Sequence, residues 1–245
     1  MNAQMLLQYF AGGDSLYHGR IINDTSWQPA AVVTGSYASG GALPWNIRGR
    51  RVWIAVALAA KRGVNQSWNL SDADTNFVDL PTIENPTYDW KLAANLTAAD
   101  GTGQYVSSQS TEAHMDGSFV FSTDVKNSKE LTSAILAYNA NYMAAKFCRA
   151  VTLADGFGAM DLPSIDVLMR IYQARTVIDT LDSTATANAA KKLTAWGFGS
   201  AGGACVWSAS ELSGSHAWHV CSGGGLYNYI KDLRFGCVPA LEIPA

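Results

Sequence analysis

Charged residues are scarce in this chain of 245 residues. Only 15% are Asp, Glu, Lys or Arg, and the formal net charge is −3. Globular domains average about a quarter charged residues. The small negative charge gives no basic field for phosphates, so the composition predicts no nucleic-acid partner. So little charge favours burial of the surface in subunit contacts, although a polar surface rich in Ser, Thr, Asn and Gly would give the same count.

Long hydrophobic runs are also missing. The longest, Val52–Ala60, is too short to cross a bilayer, which takes about 20 apolar residues. The N-terminus has no positive region before its apolar stretch, so the sequence predicts neither a secretory signal nor membrane insertion. We therefore expect a protein that is made and kept in a cytoplasm, or that reaches the outside by another route, such as lysis.

Cysteines are too few for a disulfide scaffold, with four in the whole chain. Cys205, Cys221 and Cys237 lie sixteen residues apart in turn, a spacing that suggests neighbouring strands. No C-x-x-C pair of the kind that binds zinc is present. The sequence therefore predicts buried, reduced thiols and no metal site.

The last forty residues alternate between short apolar or aromatic stretches and turn residues. This pattern predicts strands over 205–208, 217–221, 226–230 and 235–243. A small sheet must bury one face against other elements. With 48% hydrophobic residues, the chain can supply a core for it.

Two helices are predicted before these strands. Apolar residues recur every three or four positions from Leu131 to Val151, with Asn127 or Ser128 as the N-cap. A second helix begins at Pro163-Ser164, with Ser164 as its cap. An alanine-rich stretch over 184–195 predicts a third, short helix.

The first half of the chain has a weaker pattern. Ile21-Ile22 and Ala30–Thr34 predict strands, and Val52–Lys61 is either a buried strand or a short helix. Residues 63–128 are rich in Asn, Asp, Thr and Ser, with a further strand predicted at 118–122. We therefore expect residues 1–127 to be a loop-rich, mainly β region for docking or assembly, followed by a second domain over 128–245.

Two motifs in the second half resemble a known family. The first is WSASE at 207–211, followed by AWHV at 217–220, a glycine turn at 223–225, Lys231 and GCVPAL at 236–241. The second is AAKFC at 144–148, followed by GF at 156–157 and LPSIDVL at 162–168. Together they resemble the Lcl-type family of C-type-lectin-like domains, over about residues 130–245. Met160, Val167 and Cys237 depart from its usual residues.

The resemblance implies an α+β fold in which two main helices pack on a small antiparallel sheet. It also implies that one set of residues forms the framework of the domain: Leu162, Pro163, Ser164, Trp207, Ser208, Glu211 and Trp218. Members of this family occur in bacterial surface proteins and in phage tail and virion proteins. A bacterial surface lipoprotein is disfavoured here because neither a lipobox nor a signal is present.

Catalytic patterns are weak in this sequence. Ser210, His216 and Asp166 are the residue types of a hydrolytic triad, but no G-x-S-x-G elbow accompanies them. His114 lies between acidic residues, a pattern that is commoner in a solvated loop than in a site. The calcium-binding loop of sugar-binding relatives is also missing. The sequence therefore predicts a protein that is not an enzyme and has no cofactor.

A binding function is the better prediction, because residues 208–230 are rich in Ser, Tyr, Asn and Gly. Tyrosine provides rigid contact area, and the small polar residues provide adaptable hydrogen bonds. The predicted ligand-binding residues on the outer face are His216, His219, Tyr227, Asn228 and Tyr229. Trp207, Trp218 and Val220 are expected to face the core.

Two functions follow from these patterns. The first is a phage virion protein or adhesin that recognises a host surface glycan or protein through the lectin-like face. The second is a structural virion subunit, such as a decoration, collar or baseplate component, in which the same face packs on a neighbour. Both predict a homo-oligomer in contact with other virion proteins.

Overall fold

The computed structural model describes residues 16–69, 127–196, 205–211, 216–222 and 226–245. Within these ranges the chain forms three α-helices and twelve strands. The helices are α1 (Ser128–Tyr138), α2 (Met143–Arg149) and α3 (Ile165–Leu181). The strands are β1 (Ile21–Asn23), β2 (Pro29–Thr34), β3 (Trp45–Ile47), β4 (Arg50–Ala57), β5 (Gly63–Ser67), β6 (Thr152–Leu153), β7 (Gly158–Ala159), β8 (Cys205–Glu211), β9 (His216–Cys221), β10 (Leu226–Ile230), β11 (Arg234–Cys237) and β12 (Ala240–Pro244).

The longer strands form two five-stranded sheets. The first has the order β1-β2-β4-β12, with β3 also paired to β4, and all of its pairs are antiparallel. The second has the order β10-β9-β8-β11-β5. In that sheet, β11 runs parallel to β8 and the other pairs are antiparallel. The short strands β6 and β7 form a separate pair.

Both sheets combine strands from the two ends of the chain. In the first sheet β12 pairs with β4, so that Ala240 lies opposite Val56 and Ile243 opposite Trp53. In the second, β11 pairs with β5. The sequence pattern changes between residues 127 and 128, where a boundary between two regions was predicted. Each sheet nevertheless contains strands from before and after this boundary.

Helix α3 lies against both sheets and carries the largest core cluster. Its buried residues include Leu168, Ile171 and Ile178, which belong to one apolar cluster with Ile54 of the first sheet and Trp218 of the second. The side chains at successive positions point in different directions around a helix, so a helix with apolar residues on two sides can cover two sheets.

The opposite face of the second sheet is covered by α1 and α2. Leu131 and Ile135 of α1 pack in one cluster with Trp207 of β8 and Phe235 of β11. All seven residues of β8 are buried as a result. The central strands of this sheet are therefore enclosed on both faces.

The helix predictions are partly correct. A capping box at Asn127 and Glu130 starts α1, but the predicted single stripe is interrupted between Tyr138 and Met143. Ser164 precedes α3 as predicted, yet its side chain does not cap the helix. Instead the hydroxyl oxygen of Ser210 in β8 accepts the N–H of Ile165 at 3.0 Å.

The predictions for the remaining stretches are correct only in part. Over 184–195 the structure has a short 3₁₀ turn, Ala189–Lys191, where a third helix was predicted. The run at 52–61 forms β4 and a following 3₁₀ turn, Ala59–Lys61. The predicted mixed α+β class is confirmed. The strand predicted at 118–122 and His114 lie outside the described residues.

The prediction of four reduced cysteines is wrong. Cys205 and Cys221 lie directly opposite each other in β8 and β9, with Cα atoms 4.0 Å apart, and form a disulfide. Cys148 and Cys237 are free and buried, as predicted. Among the described helices, none is long and apolar enough to cross a membrane.

A buried polar network joins the first sheet to the starts of α1 and α3. The guanidinium of Arg48 forms ion pairs with Asp166 and Glu242. Ser128 donates its backbone N–H and its hydroxyl to Glu242, at 2.9 and 2.8 Å. Arg48 therefore links β12 to the start of α3 by buried ion pairs.

Asp161 is a buried carboxylate whose titration should affect stability. Burial raises its pKa to about 6, although Arg149 lies 2.7 Å from the carboxylate and opposes that shift. In an unfolded chain the pKa is about 3.9, so between about pH 4 and 6 the folded protein binds more protons than the unfolded one. The free energy of unfolding contributed by Asp161 therefore falls as the pH rises through this window.

We expect the wild type to lose about 2–3 kcal/mol more than Asp161→Asn between pH 4 and pH 7. Asparagine keeps the size of the side chain but does not titrate. Urea unfolding of both proteins at several pH values measures the difference. Glu242 also has a raised pKa and its charge acts on Asp161, so the difference between the profiles reports Asp161 together with its coupling to Glu242. Parallel pH profiles for the two proteins would contradict the assignment.

Candidate functional site

Strand β10 forms one edge of the second sheet and presents two tyrosines. Among the described strands it pairs only with β9, with Tyr227 opposite His219 and Tyr229 opposite Ala217. Directly paired residues share a sheet face, and so do residues two apart on one strand. Tyr227 and Tyr229 therefore lie on the same face. Tyr229 is 50% exposed, and Tyr227 is half-buried.

The far end of β10 is fixed by a buried lysine. Lys231 follows the strand and forms an ion pair with Glu211 of β8, and both side chains are almost fully buried. Its ammonium also lies 4.6 Å from the ring centre of Trp68. The hydroxyl of Ser67 in β5 donates to the carbonyl of Lys231 at 2.8 Å. The strand that carries the tyrosines is thereby tied to two other strands of its sheet.

The ring of Tyr227 packs on a group of aromatic rings in the second sheet. The ring of His219 stacks on Tyr227 with centroids 5.9 Å apart. On its other sides His219 meets Trp207 edge-on at 5.4 Å and Phe235 at 4.7 Å. Aromatic pairs of this kind are worth about 0.5–1.5 kcal/mol beyond the area they bury. Tyr227 is therefore preorganised by the sheet beneath it.

His219 was predicted on the outer face, and its position is a correction. The side chain is 2% exposed, and burial lowers its pKa to about 3. The imidazole is therefore neutral at physiological pH. The prediction failed because α1 and α2 cover the face that the sequence pattern left open to solvent.

His216 and Asn228 lie on the other side of the sheet from the tyrosines. His216 is opposite Ile230 and is half-buried, and Asn228 is opposite Trp218. The side chain of Asn228 is outside the described residues. Of the five predicted ligand-binding residues, the structure thus brings Tyr227 and Tyr229 together, with His219 beneath them.

The residues that the resemblance assigned to the framework are all buried: Leu162, Pro163, Ser164, Trp207, Ser208, Glu211 and Trp218. The carbonyl of Pro163 accepts the N–H of Ala209 at 2.7 Å, which joins the LPS motif to the WSASE strand. The hydroxyl of Ser208 donates to the carbonyl of Trp218 at 2.8 Å.

Two residues of the triad pattern, Ser210 and Asp166, have structural roles. Ser210 accepts the first N–H of α3, and Asp166 is held by Arg48 and by the hydroxyl of Ser164. Ser210 and Asp166 are both buried. These contacts give no support to a nucleophile at Ser210.

Trp27 is an exposed residue that the ligand-face prediction did not include. It is 67% exposed in the turn between β1 and β2, with a φ of 60° that is uncommon outside glycine. The carboxylate of Asp24 accepts the N–H groups of Ser26 and Gln28 and pairs with Lys61 at 2.7 Å. The turn that presents Trp27 is therefore held from inside. The sequence feature that could have indicated an exposed Trp27 was its position in the turn between two predicted strands.

Comparisons of the chain with protein-family models, with curated proteins and with solved structures find no match. The resemblance to the Lcl-type family therefore stays a prediction from the two motifs. Function is inferred below from the geometry of β10 and of the residues that support it.

Proposed function

We propose that this chain is a non-enzymatic phage virion protein that recognises a host surface molecule through Tyr227 and Tyr229 of β10. The observation that carries the proposal is the half-exposed Tyr229 beside a Tyr227 that rests on the buried ring of His219. Binding hot spots are enriched in tyrosine and are effective when they are held rigidly before binding. The ligand would be a glycan or a protein of the host surface.

The proposal includes the C-type-lectin-like fold for residues 128–245. In support of it, α1 and α3 pack on the second sheet, to which this region contributes β8, β9, β10 and β11 beside β5 from the first half of the chain. The LPS and WSASE motifs are in direct contact. The buried Glu211–Lys231 pair also falls at two of the motif positions. Neither feature identifies a ligand, which is why the proposal depends on β10.

Replacing Tyr227 and Tyr229 together by alanine is expected to weaken adsorption of particles to host cells by at least about 2 kcal/mol, or roughly thirtyfold. Both changes remove aromatic contact area from the exposed edge and leave the strand pairing intact. The measurement is the adsorption rate and equilibrium binding of purified particles, normalised to the amount of this chain in each particle.

Tyr138 provides a matched control for this experiment. It is also 50% exposed, but it lies at the end of α1 and outside β10. Tyr138→Ala is expected to leave adsorption unchanged. If the double variant adsorbs normally and is incorporated normally, the choice of face is wrong.

A structural virion subunit is the second candidate, and the exposure of Trp27 favours it. Trp27 is 67% exposed on a turn held in place by Asp24, and tryptophan is enriched in contacts between protein subunits. The same particles distinguish the two functions. Lower incorporation of the Tyr227/Tyr229 double variant, with unchanged adsorption per incorporated chain, would support the structural role and overturn the recognition role.

A further inference from the structure

We propose that reduction of the Cys205–Cys221 disulfide creates a zinc site from Cys205, Cys221 and His219. In the structure the two sulfur atoms and a ring nitrogen of His219 all lie within 4.8 Å of one another. The proposal does not depend on what Tyr227 and Tyr229 bind. It concerns a different kind of ligand, although His219 also lies against the ring of Tyr227.

Strand pairing places the three side chains on one face of the sheet. Cys205 lies directly opposite Cys221, and His219 is two residues before Cys221 on the same strand. Side chains two apart on a strand point the same way, and those of paired residues do so across the strands. Three side chains converge here although their spacing along the chain resembles no metal-binding motif.

The imidazole of His219 has a free ligand atom. Its Nδ1 is buried and has no hydrogen-bond partner among the described residues. Buried polar atoms of this kind are rare in folded proteins, because an unmet hydrogen bond costs free energy. A neutral imidazole is the form that binds a metal.

The ligand set suits zinc in particular. Zinc binds thiolate sulfur at about 2.3 Å and imidazole nitrogen at about 2.0–2.1 Å in a tetrahedral arrangement. Ligand atoms on one ion are then separated by about 3.3–3.8 Å. Atoms that already lie within 4.8 Å reach this spacing by side-chain rotation once the sulfur–sulfur bond is broken. Two thiolates and one imidazole leave the fourth position for water.

The chemistry of the change balances with a phosphine as the reductant. The phosphine and one water molecule convert the disulfide into two thiols, as the phosphine takes up the oxygen and the two sulfurs take up the hydrogens. Zinc then replaces the two thiol protons, which pass to solvent, and binds the thiolates. Cys221 is only partly buried at the end of β9, so reductant and ion can reach the site.

The test compares the oxidised and the reduced full-length chain. Each is incubated with zinc sulfate and passed over a desalting column, and the bound zinc is measured by elemental analysis. We expect about one additional zinc ion per reduced chain. Cys148 and Cys237 are thiols in both forms, so zinc held there appears in the oxidised sample and is subtracted. Equal zinc content in the two forms would overturn the proposal.

Variants of two histidines in β9 distinguish zinc binding at this site from nonspecific zinc binding. His219→Ala should weaken zinc binding to the reduced chain at least tenfold, whereas His216→Ala, on the other face of the same strand, should not change it. Cobalt substitution should give the visible absorption of tetrahedral, thiolate-bound Co²⁺. Normal zinc affinity in His219→Ala would remove His219 from the site.

A further measurement needs no variant and so does not depend on the folding of His219→Ala. Zinc should slow the alkylation of Cys205 and Cys221 in the reduced wild type by at least tenfold, as measured by peptide mass spectrometry. The rates at Cys148 and Cys237 serve as internal references. Alkylation of Cys205 and Cys221 at the same rate with and without zinc would contradict the proposal.

Discussion

Replacement of Arg62 by methionine is expected to lower the free energy of unfolding by about 5 kcal/mol, at the upper end of the range for breaking a buried ion pair. The guanidinium of Arg62 is completely buried and forms ion pairs with Asp179 and Asp182, each at 3.1 Å. It also donates to the carbonyls of Ala57 and Lys191, at 2.8 and 2.9 Å. The variant would leave the carboxylates without their buried counter-ion.

The effect is large because the two carboxylates have little access to water. The side chains of Asp179 and Asp182 are 6% and 0% exposed. The cost of an uncompensated buried charge therefore adds to the loss of the hydrogen bonds. Arg62 follows β4 in the first half of the chain, and both aspartates lie at the C-terminal end of α3. The variant should therefore weaken the contact between the two halves.

Arg50 is a matched control for Arg62→Met. It is an exposed arginine at the start of β4, and its replacement by methionine should change stability by less than about 0.5 kcal/mol. Urea unfolding of both variants at pH 7 gives the comparison. If Arg62→Met were within about 1 kcal/mol of Arg50→Met, the buried ion pairs would not have the role assigned to them.

The role of Arg62 was not predictable from the chain, in contrast to the strands around it. Apolar runs bounded by turn residues located β2, β8, β9 and β10 within a few positions, because local pattern determines where a strand can form. The run at 235–243, predicted as one strand, forms β11 and β12 in different sheets, and the run at 52–61 was compatible with either a strand or a helix. The two carboxylate partners of Arg62 lie more than 110 residues away in sequence. Nothing in local sequence specifies a contact at that separation.

The misplacement of His219 has a related cause. Alternation along β9 correctly placed Trp218 and Val220 in the core, and for a sheet with one open face it would have put His219 in solvent. In the structure α3 covers one face and α1 and α2 cover the other. Which faces of a sheet are covered by helices depends on the whole topology, and alternation along one strand does not show it.

The disulfide between Cys205 and Cys221 could be predicted only in part from the sequence. Cys205 and Cys221 were placed on neighbouring strands, and the exact register of β8 and β9 makes them direct partners. That register includes an irregularity between Trp207 and Glu211, which the sequence pattern did not reveal. A one-residue difference in pairing changes which side chains meet, so the cysteines could be assigned to neighbouring strands but not to a bond.

Trp218→Ala is expected to lower the free energy of unfolding by about 3–5 kcal/mol, the range for emptying a large aromatic site in a core. Trp218 is 3% exposed and packs with Val206, Val220 and the apolar residues of α3 between the two sheets. Alanine would leave a cavity that the surrounding elements cannot fill without moving, since α3 contacts both sheets.

Trp27 provides a control for Trp218→Ala. It shows whether the loss of stability comes from the burial of the side chain or from removing any tryptophan. Because Trp27 is 67% exposed, Trp27→Ala should change the free energy of unfolding by less than about 1 kcal/mol. Chemical denaturation of both variants, followed by far-ultraviolet circular dichroism, measures the two losses under the same conditions. A loss below about 1.5 kcal/mol for Trp218→Ala would mean that the space between α3 and the second sheet closes readily. In that case the core between the two sheets would not hold β9 and β10 rigidly. The proposed recognition through Tyr227 and Tyr229 requires such a rigid support.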